Sequence, residues 1–483
     1  MSTTQTRVGT VRLTIGGALA AGADGTYPVM NPARPDETVL EAPAASLGQL
    51  DQAVAAARRA QPPWDALGFE GRLSSLRFAC ARANEQIDLE ATAALLTREH
   101  GKVFVEALFD VATTAGMLEA LGPLVGGSLE PRPAGSSVIE RVPHGVVAAI
   151  LPFNWPAAVM GNKILPALLA GNTVVVKTPP SCPGAVLDLA GAIATGLPAG
   201  VLNALNGPGA AFGAAVVAHP GIDMVSFTGG VATGRAVLGA CAPRLRPAVL
   251  ELGGNDPAII GPDLEPTEAL AERLLEAAFA TSGQVCMAIK RLYLPAERLH
   301  EWRDAMVECL SRTVVGDGLE EGVTMGPVHT EGARDRVEAM IAEAAVGAAE
   351  VVRPATVTQP GQGWVVAPAL VVAPDPGSAL VMDEQFAPAL PLLPYQGIDQ
   401  AVAAANDTRF GLCASVWSGD TDLADTVARQ LSAGTVWVNA HGMAAMDHLA
   451  PMGGWGDSGL GLEMGDEGMR TFTRPRVLRR GAL

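Results

Sequence analysis

Cys286 stands in FATSGQVCMAIK (279–290), behind a Ser-Gly-Gln turn and ahead of a basic, apolar run. A thiol in that setting is either a small buried hydrophobe or a nucleophile, and taken alone the first reading is the commoner one. Nucleophilic chemistry also requires a base, an oxyanion donor and access for the reactant. Three other stretches offer them. In PFNWPAAVMGNK (152–163) Asn154 follows a predicted strand, at the carboxyl end where parallel sheets place ligands. A neutral carboxamide there can donate to a developing oxyanion, although bracing the turn before Pro156 is the plainer reading. In LELGGND (250–256) Glu251 ends an apolar strand before two glycines. Apolar surroundings raise a carboxylate's proton affinity and fit it to take a proton from water; a Glu held by local amides reads equally well. In SFTGGVATG (226–234) a strand, a glycine pair and a helix start expose amides that suit an anion. That stretch is not G-x-G-x-x-G, and GPGAAFG (207–213) and GLGLEMG (459–465) show how readily such spacings arise among 55 glycines.

Positioning these residues falls to short β-branched runs alternating with longer amphipathic ones, the rhythm of strand, crossover helix, strand. Strands are predicted at 146–151, 173–177, 201–205, 224–228 and 248–252. A helix is predicted near 159–169, and another is started by Ser181 and Pro183 and runs toward Thr195. Past Gly253 the rhythm restarts, with a run at 258–260, a helix from Pro266 to about Thr281, a strand at 291–294 and helices near 298–312 and 331–345. The expected fold class is α/β, two doubly wound lobes in succession. EPRPAGS (130–136) reads as an excursion from the sheet.

At 483 residues, 49% hydrophobic and 17% charged, the chain has a globular composition with material for two large lobes. Thirty-three Lys and Arg against 50 Asp and Glu give a net charge of -17, a field that repels nucleic acid and anionic membrane surfaces alike. No run approaches the roughly 18 apolar residues of a spanning helix, and the N-terminal stretch lacks the apolar core of a signal peptide, so a cytoplasmic protein is expected. The six cysteines form no C-x-x-C pair and the seven histidines no H-x-x-x-H, so reduced thiols and no metal site are expected.

The order of the parts is more telling than any one of them. Asn154, Lys177 after TVVV, FTGG (227–230), ELGG (251–254) and GQVC (283–286) are followed by Glu384 in EQFAP, NDTRFGLCASVW (406–417), Asn439 in VWVNAH and PMGGWGDSGLGLE (451–463). This order resembles the aldehyde dehydrogenase superfamily, from about Asn31 through nearly the whole chain. The resemblance implies NAD(P)-dependent oxidation of a small-molecule aldehyde to a carboxylic acid through a cysteine thiohemiacetal and thioester. It implies a Rossmann-like dinucleotide-binding domain at 1–121 and 144–253, a small β oligomerisation flap at 122–143, a catalytic domain at 254–453 and a C-terminal segment and oligomerisation tail at 454–483, assembled as a homodimer or homotetramer.

By the same resemblance Cys286 is the nucleophile, Asn154 and the Cys286 amide hold the oxyanion, and Glu251 activates the hydrolytic water. Lys177 contacts the adenosine ribose and Glu384 the nicotinamide ribose, Phe386 and Phe153 line the coenzyme site, and Gly229 and Gly230 lie against the pyrophosphate. Lys163 and Glu463 match positions that assist the proton path. Three departures stand out. Where relatives commonly follow the lysine with Pro, a small residue and Glu, this chain reads Thr178, Pro179, Pro180. Without that carboxylate, NAD is expected with NADP tolerated. Asn162 stands where many relatives carry an aromatic, and Val285 and Met287 flank the nucleophile, which together point to a wider or more polar pocket than one for acetaldehyde. Asn255 and Asp256 replace a commoner Lys-Ser pair and have no functional reading. A CoA-acylating semialdehyde dehydrogenase is the alternative within enzymes, and Glu251 counts against it. A cysteine hydrolase without dinucleotide would need a histidine partner that the motifs do not supply.

Overall fold

The computed structural model describes residues 11–121, 126–347 and 349–481; most of the N-terminal stretch read for a targeting signal, and 122–125 at the start of the expected flap, lie outside them. Leu202–Leu205, Thr173–Lys177, Val146–Ile150, Met224–Thr228 and Ala248–Glu251 lie side by side, all parallel, as the centre of an eight-stranded sheet. The middle strand is buried along its whole length, as a run of Val, Ala and Ile covered on both faces must be. Sequence order reverses between Val146–Ile150 and Met224–Thr228. In open α/β sheets the crevice at such a reversal, beyond the carboxyl ends, receives ligands.

Helices start where local chemistry allows, and one starts differently from expectation. Pro156–Leu169 begins three residues before the predicted boundary, with Pro156 at its first turn. Gly184–Thr195 lacks the expected Ser181 cap: Pro183 occupies the cap position, and the Glu99 carboxyl, from the helix Leu89–His100, accepts from the Gly184 and Ala185 amides at 2.8 and 3.0 Å. Ser181 is drawn away by His329 instead.

A second, seven-stranded sheet runs Glu350–Val352, Ala369–Val372, Ala389–Tyr395, Ile289–Pro295, Asp256–Ile260, Cys413–Trp417, Thr435–Val438, parallel throughout except for the first pair. The runs read at 258–260 and 291–294 are the cores of longer strands. Glu251 and Asp256 terminate and begin strands of different sheets, so the chain passes between lobes through Leu252–Asn255. A three-stranded antiparallel sheet joins Arg132–Ala134 and Ser137–Pro143 to Thr473–Arg479; the excursion at 130–136 is part of it. Among the described residues no helix is long and apolar enough to cross a membrane, and all six cysteines are unpaired.

Candidate active site

Cys286 lies between the one-turn helix Ala280–Gly283 and the amino end of Ile289–Pro295. The approach is strained: Thr281, Ser282 and Gly283 have φ of 52, 56 and 71°. A left-handed non-glycine residue costs on the order of 1–3 kcal/mol and persists only where its surroundings dictate it. Here the Thr281 amide donates to Glu106 Oε1 at 2.6 Å, the Ser282 hydroxyl donates to the Gly326 carbonyl at 2.8 Å, and a Cβ on Gly283 would sit 2.5 Å from the Ala387 carbonyl oxygen. The bend makes the chain change lobes. Val285, Met287 and Ala288 enter the hydrophobic cluster of the first sheet with Cys286 against it, whereas Ile289 belongs to the second. Cys286 keeps partial solvent exposure. Burial of its thiol, reinforced by the carboxyls of Glu384, Asp256 and Glu251 and opposed by Lys290, pushes its pKa up to about 12. The resting nucleophile is a neutral thiol.

Asn154 comes from the other lobe, four residues past the end of Val146–Ile150. Its Nδ2 donates to the Gln284 carbonyl at 2.9 Å, so the side chain bridges to the cysteine loop and does not brace its own turn. The following helix is anchored by Asp110, whose carboxyl accepts from the Ala158 amide at 2.7 Å and pairs with fully buried Lys102 at 2.9 Å. Gln284 is a hub that its sequence context does not advertise: its Oε1 accepts from the His329 amide at 2.9 Å and its Nε2 donates to the Thr281 carbonyl at 3.1 Å.

Glu251 is buried, and its Oε1 has no hydrogen-bond partner among the described residues. Burial first, then the nearby Glu463 carboxyl, raises its pKa well above the ordinary value, with Lys163 pulling the other way. Lys163 and Glu463, far apart in sequence, meet at 2.6 Å; Lys163 Nζ also donates to Ser226 Oγ at 2.9 Å, and Ser226 Oγ donates to Glu463 Oε1 at 2.9 Å. Ser226 is a member the motifs did not single out. Its one sign in the sequence is a hydroxyl in the middle of a buried apolar strand.

The residues expected to hold coenzyme surround the crevice at the sheet reversal. Val231–Cys241 starts at Gly230 with no side-chain cap, Thr228 Oγ1 beside it is buried without a partner among the described residues, and a Cβ on Gly230 would meet open space. Gly229 is needed for a different reason, since a Cβ there would lie 2.6 Å from the Phe227 ring. Lys177 is buried, donates to the Thr178 carbonyl at 2.9 Å, and is pushed down to about 8 by desolvation. Glu384 Oε1 accepts from the Gly254 amide at 3.0 Å. Phe386, at φ 50°, meets Phe153 edge to face at 5.9 Å between centroids. Uncapped amides, an ammonium and an aromatic pair fit a dinucleotide: pyrophosphate against the amides, ribose beside the cation, a flat ring beside the aromatics.

Exposed apolar side chains stand near the start of the helix that follows Asn154. Val105 and Phe109, one turn apart on Phe104–Leu121, are 69% and 56% exposed, and Phe109 meets Trp155 edge-on at 6.0 Å. On Pro156–Leu169 the two residues left partly exposed are Val159 and Asn162, three apart and so on one face. Behind the thiol, Asp256 Oδ2 and His441 Nε2 are both buried, lack hydrogen-bond partners among the described residues and lie 3.9 Å apart. Burial drives the two toward neutrality, raising the Asp256 carboxyl well above its ordinary range and lowering His441 to about 3.

A thiol, a carboxamide and a proton-loving carboxyl therefore meet at a dinucleotide-type crevice between two α/β sheets. The sequence profile of the aldehyde dehydrogenase family matches residues 19–478, and the chain belongs to that family. It is an NAD(P)-dependent aldehyde dehydrogenase. Geranial dehydrogenase of Castellaniella defragrans is 38% identical over 449 residues, covering 91% of this chain and 92% of the relative. The solved structure of an aldehyde dehydrogenase C variant from Pseudomonas syringae, complexed with NAD+ and octanal, is 33% identical with a TM-score of 0.90, covering 97% of this chain and 96% of that one. An NADP-dependent enzyme of E. coli is 30% identical with a TM-score of 0.92, covering 99% and 100%.

Proposed function

We propose that the enzyme oxidises apolar aldehydes to acids through a thioester on Cys286. One observation carries this: the Asn154 carboxamide, from the first sheet, sits 2.9 Å from the backbone carbonyl two residues before the thiol of the second. An amide nitrogen has two hydrogens. With one given to Gln284, the other is free for an alkoxide, alongside the Cys286 amide. Once the Cys286 thiol, partly open to solvent, has given its proton to water, attack by the thiolate sulfur on the carbonyl carbon puts negative charge on the aldehyde oxygen, and these two donors meet it. Bound NAD(P) supplies the hydride acceptor. Once the thioester stands, Glu251 in its ionised form takes a proton from water, whose oxygen attacks the acyl carbon and releases the acid and the Cys286 sulfur. Lys163, Ser226 and Glu463 form a polar chain beside Glu251 through which that proton leaves. Lys177 and Glu384 hold the two riboses, Gly229 and Gly230 admit the pyrophosphate, and Phe153 and Phe386 bound the nicotinamide.

Exposed Val105 and Phe109, the latter against Trp155 next to Asn154, favour a hydrocarbon aldehyde, in keeping with the geranial and octanal of two relatives. A retained, buried Glu251 favours hydrolysis of the thioester over its transfer to a free thiol such as CoA. The lobes divide as 1–121 with 144–253 for dinucleotide and 254–453 for catalysis. Flap 122–143 and tail 454–483 serve a homodimer or homotetramer in the cytoplasm. An aldehyde panel followed by absorbance of reduced coenzyme tests the reading. Octanal and geranial should be turned over at lower KM than acetaldehyde, and Cys286→Ala should abolish the signal while still binding coenzyme. Full oxidation by that variant would refute the assignment.

A further inference from the structure

Among the described residues three lysines are less than 2% exposed, and two of them are paired: Lys102 with Asp110 at 2.9 Å and Lys163 with Glu463 at 2.6 Å. The third, Lys290, forms no ion pair among the described residues, and its ammonium gives one of its three protons, to the Gly283 carbonyl. A desolvated cation without a contacting carboxylate is costly to a fold. The backbone there is irregular as well. Asp256 lies opposite Ile289 and Pro257 opposite Arg291, which leaves Lys290 as the extra residue of a bulge. Ile289, Leu292 and Leu294 all enter one hydrophobic cluster, which unbroken alternation along the strand would forbid. The bulge frees the Lys290 side chain from that alternation, and its ammonium reaches back to the strained turn Thr281–Gly283.

The segment around Glu384 fixes the same lysine from its other side. Gln385 Nε2 donates to the Lys290 carbonyl at 3.1 Å, and the Phe386 ring centroid lies 5.3 Å from Nζ, within cation–π range. Burial lowers the Lys290 pKa, the carboxyls of Glu384 and Asp256 and the Cys286 thiol work against that loss, and Arg336 adds to it. On Cys286 the carboxyls of Glu384, Asp256 and Glu251 act in one direction and Lys290 in the other. Lys290 also acts on His441, which burial keeps neutral. We propose that Lys290 is a positioning residue of the oxidation: its ammonium, held against the turn that precedes the nucleophile, is the counter-charge that stabilises the Cys286 thiolate once the proton has left. A carboxylate in contact would cancel its field, as happens at Lys102 and Lys163. Without one, the cation answers the charge that forms on sulfur. The proposal rests on the reading of Cys286 as the nucleophile.

Alkylation of the coenzyme-free, full-length enzyme by iodoacetamide from pH 7 to 10, followed at the Cys286 peptide by mass spectrometry, tests this, with thermal unfolding as a fold control. Lys290→Gln removes the charge and keeps a donor for the Gly283 carbonyl, whereas Lys290→Met removes both. Each should displace the rate profile upward by about one pH unit, so that Cys286 reacts about tenfold more slowly at pH 8. Lys290→Arg keeps the charge and should stay within about threefold of the parent. A lysine that only braced the turn would, on removal, loosen the loop and expose the thiol. A rate at or above the parent's in either neutral variant therefore overturns the proposal, so one that folds is enough to decide. An arginine variant as slow as the glutamine one overturns it too. Oxidation by the alkylated parent separates this proposal from the reading beneath it. If alkylation abolishes coenzyme reduction while Lys290→Gln keeps the parent's rate, Cys286 stands and the Lys290 proposal alone fails. If oxidation survives complete alkylation, the nucleophile assignment fails, and the role of Lys290 falls with it.

Discussion

Lys163 Nζ lies 2.6 Å from Glu463 Oε1 across a separation of 300 residues, with side chains 0% and 6% exposed. The pair sits beside the proposed general base. A buried pair of this kind adds little net stability over a hydrophobic substitute, but breaking it is costly because the survivor is left desolvated.

Lys163→Met should therefore destabilise the fold by about 3–5 kcal/mol, seen as a lower midpoint in urea unfolding. Glu463→Gln keeps an acceptor for Lys163 and for Ser226 and should cost less. An unshifted midpoint for Lys163→Met would mean that the pair is not the isolated buried contact described.

Glu251 gives a pH dependence whose sign is opposite to that of a salt-bridged carboxylate. Its folded pKa lies well above the ordinary carboxylate range, so the folded state holds on to its proton over a pH range in which the unfolded chain has released it. Stability from this group is complete below the unfolded pKa and is lost as pH rises toward the folded one, at up to about 1.4 kcal/mol per pH unit. Glu251→Gln cannot ionise. Its melting temperature relative to the parent should be higher at pH 8 than at pH 5, and an equal difference at both would show the carboxyl ionising freely. In single-turnover experiments the variant should form reduced coenzyme once and then stall at the thioester.

Asn154→Ala removes one of two proposed oxyanion donors and should lower kcat roughly 100- to 1,000-fold. Coenzyme Kd should change little. A loss confined to KM would indicate that the carboxamide orders the Gln284 loop and does not touch the alkoxide.

With the Cys286 thiol pushed up to about 12, little of it is thiolate at pH 8. Alkylation of the coenzyme-free enzyme by iodoacetamide should be slow and should accelerate about tenfold per pH unit between pH 7 and 10. Cys286→Ala supplies the blank for other thiols. A plateau below pH 9 would mean a cation neutralises the surrounding carboxyls in the resting site.

Asp256→Asn should be tolerated, since the carboxyl is already held toward its neutral form and the isosteric amide still accepts from the Cys413 amide, 3.2 Å away. Asp256→Ala leaves the buried Cys413 amide without that acceptor and should cost about 1–3 kcal/mol by the same unfolding measurement.

What the sequence determined by itself is the alternation of elements and the identity of the reacting groups. TVVVK (173–177) and MVSFT (224–228) are strands with the predicted limits because five-residue apolar runs, one of them rich in β-branched residues, suit central parallel strands buried on both faces. Cys286, Glu251 and Asn154 could be singled out because thiol, carboxyl and carboxamide each stand next to a turn signal or a strand end. The tertiary structure decided what depends on contacts across the chain. Ser181 reads as a helix cap, yet the cap is Glu99 and the serine belongs to His329 in the other lobe. Gln284 carries no local mark of its role, since hydrogen bonds to distant segments leave no periodicity, and Ser226 shows only as a hydroxyl within an apolar strand. Even the thiol's protonation belongs to the fold: burial, and after it the carboxyls of Glu384, Asp256 and Glu251, raise its proton affinity against the pull of Lys290.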